Sequence, residues 1–153
     1  MGSRRQFLLT VFLSLAAIGC SDPFSPGGER SRLDTNRQKW QLQRQSTYKF
    51  TLATACFCAG GGPIRIEVSG DSVVAATLVS NGQHIGTQNV LTVEKLFDFI
   101  DRAIADHAVG LEITYHPILG YPTLINSGGQ EFIADDEVTY TISDLTFAVP
   151  LDH

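Results

Sequence analysis

At 153 residues, 43% of them hydrophobic, the chain is sized for one ordinary domain with a modest core. Its formal charge of −5 and lack of a basic stripe argue against binding nucleic acid or docking electrostatically on anionic lipid.

The chain opens on "MGSRRQFLLTVFLSLAAIGC", with a basic head at Arg4 and Arg5 and an apolar run from Phe7 to Ile18. That run is too short for a membrane span of about 20 apolar residues, and reads as a secretory signal over residues 1–19. Cys20, directly after Ala17-Ile18-Gly19, resembles the cysteine of a bacterial lipobox, although the tripeptide is looser than the favoured forms. The resemblance implies cleavage before Cys20, a diacylglycerol on its sulfur and acylation of its new amine, a multi-chain anchor that holds firmly. "SRRQFLL" resembles a twin-arginine export motif with Leu9 in the usual lysine place, but so hydrophobic a run suits the general secretion route better. The expected location is the cell envelope, anchored by lipid. With Ser21 after the cysteine, the outer membrane is favoured where the cell has two. Removing residues 1–19 takes away two arginines, so the formal charge moves from −5 to −7.

Residues 20–34, rich in Pro, Gly, Ser and charge, are expected to be a lipidated tether, with a single domain over 35–153. A short helix follows, capped by Asp34 or Thr35 and packed through Trp40 and Leu42. In "TYKFTLATACFC", Tyr48, Phe50, Leu52, Thr54, Cys56 and Cys58 share one strand face. "PIRIEVSGDSVVAATLV" predicts a hairpin turning at Gly70-Asp71, with Ile64, Ile66 and Val68 inward. "SNGQ" makes another turn. "TVEKLFDFIDRAIADH" is the clearest helix, capped by Thr92, with Val93, Leu96, Phe97, Ile100 and Ile104 on one face. Then "VGLEITYHP" alternates Val109, Leu111, Ile113 and Tyr115, "GYPTLIN" returns, and "EVTYTISDLTFAV" closes the domain. The expected class is α+β: an antiparallel sheet of about six strands with two helices packed on one face.

The segments "KWQLQRQSTYKFTL", "CFC", "IRIEV", "TVEKLFDFI", "LEITYHPILGYPTLI" and "DDEVTYTISDL" together resemble the bacterial exported proteins and lipoproteins grouped as a domain of unknown function, DUF6174. The resemblance covers roughly residues 38–147. Its signature falls on Trp40, Tyr48, Phe50, Cys56, Cys58, Tyr115, Pro117, Gly120, Tyr121, Pro122, Asp135, Asp136 and Glu137. His116 stands where the family commonly shows aspartate, which puts in doubt any need for a carboxylate in that loop. Membership of this family implies no activity.

Cys56 and Cys58 are the thiols left once Cys20 is acylated. Residues two apart in a strand lie near 7 Å between Cα atoms, the far limit for a disulfide, and a bend at Gly60–Gly62 would shorten this. A small staple is the expected reading; two reduced thiols, or a redox or metal pair, are the alternatives. His84, His107, His116 and His153 sit at no ligand-like spacing from the pair. The second candidate is a binding loop over Tyr115, His116, Pro117, Gly120, Tyr121 and Pro122. Its Tyr121 either projects to anchor a partner or, as expected, packs on its own domain. "ADDEV" lacks the order of a calcium loop and reads as solvated edge charge. No nucleophile elbow, zinc-protease helix or phosphate loop is present, so no enzyme, cofactor or metal is expected. The partners expected are the membrane, through the lipid, and an envelope protein; the sequence leaves the oligomeric state open.

Overall fold

The structure is a computed structural model of the chain, described over residues 26–56, 62–128 and 137–148. The expectations for the signal, Cys20, Cys58, Asp135 and Asp136 fall outside the described residues. In chain order the elements are α1 (Pro26–Gln43), β1 (Thr47–Cys56), β2 (Ile64–Ser69), β3 (Ser72–Leu78), α2 (Val93–Ala105), β4 (Glu112–Tyr115), β5 (Pro122–Ser127) and β6 (Val138–Phe147). The strands form one antiparallel sheet in the order β3-β2-β1-β6-β5-β4. The domain is α+β, as its sequence pattern predicts. No helix among the described residues is long and apolar enough to cross a membrane.

The long central pair is β1 and β6, and alternation decides which side of it faces the helices. Tyr48, Phe50 and Leu52 of β1 are buried, as are Ile66 and Val68 of β2 and Ile142 of β6. They close one core with Leu33 and Trp40 of α1 and the apolar stripe of α2. Thr92 caps α2, its Oγ1 accepting from Lys95 N at 3.3 Å, and the stripe behind it is buried as the helical spacing requires. One step of β6 is irregular: Lys49 faces Thr146 but Thr51 faces Ser143, so β6 carries an extra residue there. Asp144, at φ 55°, fits that bulge, because aspartate tolerates the left-handed region better than most side chains.

Three expectations need correcting. The tether does not extend to residue 34, because α1 begins at Pro26 and Leu33 is only 1% exposed. Pro-Gly-Gly reads as a linker by composition. Proline is nevertheless tolerated in a first helical turn, and packing of Leu33 one face below Trp40 outweighs the weak glycines. Leu42 is not a packing residue: it is 78% exposed. Val109 does not start a strand, since β4 begins at Glu112 and Val109 lies half-exposed in a turn completed by Gly110 at φ 62°.

The polar face of α1 explains why its apolar content could be so thin. Arg30 pairs with Asp101 of α2 and Arg37 with Asp98 at 3.2 Å, and Arg44, just past the end of α1, adds a third pair with Glu94 at 2.5 Å. The boundary has a direct test. Leu33→Ala is expected to cost about 3 kcal/mol in urea unfolding, the usual loss for a buried leucine. Leu42→Ala should stay within about 0.5 kcal/mol. Were residues up to 34 a free tether, Leu33→Ala would be silent as well.

Candidate functional site

The aromatic loop is held inward. Between β4 and β5 the chain reverses over 116–121, closed by His116 N donating to Tyr121 O at 2.8 Å and Gly120 N to His116 O at 2.9 Å. β5 is bulged next to this turn, where Thr114 faces Leu124 but Tyr115 faces Pro122. Gly120, at φ 78°, lies directly on α1: a Cβ there would sit 2.4 Å from Asn36 O and 2.7 Å from Lys39 Cβ. Gln43 Nε2 donates to Ile118 O at 2.7 Å from the same helix.

Tyr121 does not project. It is 7% exposed, meets the Trp40 ring edge-on at 6.0 Å and stacks on His116 at 4.9 Å. Pro122 is fully buried. Tyr115 stacks on Phe97 of α2 at 6.4 Å, beneath the Arg32 guanidinium. Burial, with the negative charge of Glu29, pushes its phenol well above the ordinary range. Of the candidate binding residues only Pro117 faces water freely, so this loop is a docked structural hairpin rather than a presented tip.

The imidazole of His116 answers the question that its missing carboxylate raised. Its Nδ1 accepts from Ile118 N at 3.3 Å and Leu119 N at 3.1 Å. Amides two and three residues on are the ones an aspartate would hold in a capped turn, so the ring supplies the acceptor in its place.

The most heavily bonded polar cluster was not legible as a site. Glu94, in the first turn of α2, accepts from Trp40 Nε1 at 2.9 Å, Arg44 Nη1 at 2.5 Å and Tyr48 Oη at 2.8 Å. Arg44 also donates to Asp71 Oδ1 at 2.8 Å, tying in the turn between β2 and β3. Burial works to raise the Glu94 carboxyl, but the bonds from Trp40 and Tyr48 prevail and hold it below the usual carboxylate range. Burial and the Glu94 charge push Tyr48 far upward, and the hydrogen bond to Asp71 helps raise Arg44 further. A charged Glu94 between a neutral phenol and a permanent cation is a brace between α1, β1 and α2. None of the three is tuned to exchange a proton near neutrality.

The sequence marks Trp40 and Tyr48 by their apolar character and Asp71 as a turn residue, each on its own, and nothing local singles out Arg44. Their partners lie 27 to 54 positions away, beyond any local pattern.

Of the cysteines, Cys56 closes β1 opposite Val138, and Glu137 lies exposed at the approach to β6. His84 bridges to Thr77 beside β3 and His107 sits in the turn after α2 at φ 54°, well apart in the chain from Cys56. Among the described residues no three His, Cys, Asp or Glu side chains gather as a metal set. A groove of about 580 Å³ opens where β1 starts and β6 ends, lined by Tyr48, Lys49, Glu67 and Phe147.

No curated protein and no solved structure matches the chain. A family of unknown function, DUF6174, matches over residues 32–147, from the middle of α1 to the last residue of β6. That match spans the sheet, both helices, the docked hairpin and the Glu94 brace, and the chain belongs to this family.

Proposed function

We propose that the protein is a bacterial envelope lipoprotein without enzymatic activity, which holds a binding domain close to its membrane. The lipobox-like Ala17-Ile18-Gly19-Cys20 supports the anchor, and the start of α1 at Pro26 supports the closeness of the domain to it. With the lipid on Cys20, the intervening backbone reaches at most roughly 20 Å, so the anchored end of the domain stays near the bilayer.

The topology then assigns near and far ends. Glu29 lines a cavity of about 300 Å³ with His107, Gly110 and Leu111, so α1 begins beside the start of β4. Strand pairing brings the end of β5, the start of β6 and the Cys56 end of β1 to that same side. Opposite lie the Gly70-Asp71 turn, the docked hairpin and the groove at Tyr48 and Phe147. The far end is the one free to meet an envelope partner, and its groove is the surface this reading assigns to it. Cys56 and Cys58 are read as a staple at the near end, supported by the disulfide in which Cys56 takes part.

A photo-crosslinking amino acid at Asp71, on the far turn, or at Asn81, beyond β3, tests the arrangement in intact envelopes. The expected result is protein adducts at Asp71 and lipid adducts at Asn81. Lipid adducts at Asp71, or no protein adduct at either position, would reject it.

A further inference from the structure

We propose that His116 is a pH-sensitive latch that fixes the 116–121 hairpin against α1. Only an imidazole whose Nδ1 carries a bare lone pair can accept from Ile118 N and Leu119 N, so the latched state has its proton on Nε2. A second proton turns Nδ1 into a donor. It then faces two amide donors, both hydrogen bonds are lost, and like partial charges meet at about 3 Å. Histidine is the side chain that serves proteins as a proton-driven switch.

The surroundings offer the charged ring little in exchange. Tyr121, from the β5 side, stacks flat on it, and α1 presents Lys39 beside Gly120. From β6, Asp144 is felt at Tyr121, whose ring stacks on the imidazole. Among the described residues no carboxylate hydrogen-bonds or ion-pairs with His116. What remains on protonation is the contact of Gly120 with Asn36, the Gln43 bond to Ile118 O and the burial of Tyr121. The hairpin therefore loosens locally while the sheet and the Glu94 brace persist. An open hairpin presents Tyr121 together with Ile118, which is already 67% exposed. This inference is independent of lipid anchoring.

The test is hydrogen–deuterium exchange of the full chain in detergent at pH 8 and pH 5.5, corrected for chemical exchange, reading peptides over 116–121 and 93–105. In the wild type the hairpin should open about tenfold more often at pH 5.5, as losing two modest hydrogen bonds implies, with 93–105 unchanged. His116→Asp keeps an acceptor that stays ionised over this range, and His116→Asn keeps a neutral one. In both, the hairpin should respond to pH no more than 93–105 does. Because His84, His107 and His153 are intact in the variants, they control for other titrations. A wild-type hairpin indifferent to pH, an equal response in the variants, or a wild-type rise shared by 93–105 would each overturn the latch.

Discussion

Gly120→Ala is expected to destabilise the domain by about 3 kcal/mol. Two costs combine. An alanine at φ 78° sits in the left-handed region at about 1 kcal/mol, and overpacking adds about 1–3 kcal/mol. The second cost arises because the new Cβ would meet Asn36 O at 2.4 Å, a backbone atom inside α1 that cannot swing aside. Gly82→Ala separates the two. It shares a positive φ of 71° but has open space around it, so it should lose only about 1 kcal/mol. Urea midpoints of the two variants check the difference. Equal losses would mean that the hairpin does not rest on α1.

Removing the Glu94 carboxylate should cost a similar amount for a different reason. Glu94→Ala leaves the indole of Trp40, the phenol of Tyr48 and one arm of Arg44 without their acceptor, and both rings are fully buried. Breaking a buried ionic cluster at one partner typically costs 3–5 kcal/mol, and partial solvent access to Glu94 puts the expected loss at about 3 kcal/mol. The pH dependence has a definite sign. The folded carboxyl lies below its unfolded value, so its contribution is full above the ordinary glutamate range and fades as pH falls through the folded value. Glu94→Gln should therefore flatten the loss of stability on acidification below about pH 4.5. A variant with the same acid slope as the wild type would remove Glu94 from that role.

Local chemistry made much of this fold readable. The Thr92 cap, the stripe of α2, the alternation of β2 and the Gly70-Asp71 turn each depend on neighbours within a few residues. The start of α1 was not readable in the same way, because what stabilises Pro26–Gln43 is distant: Leu33 in the core and arginines paired across α2. Strand order was likewise hidden. β6 inserts between β1 and β5, and no turn residue records a pairing ninety positions away. The hairpin at 116–121 shows both sides. Pro117, Gly120 and Pro122 marked the loop, yet whether Tyr121 faced outward depended on the surface of α1 that receives it.

The proposed tie of the domain's α1 end to a lipid on Cys20 is tested most directly by the mass of the N-terminal peptide from envelope-purified protein. The predicted peptide begins at Cys20 and carries a thioether-linked diacylglycerol with an acylated amine. A peptide beginning elsewhere, or an unmodified Cys20, would contradict the anchor and with it the assignment of near and far ends.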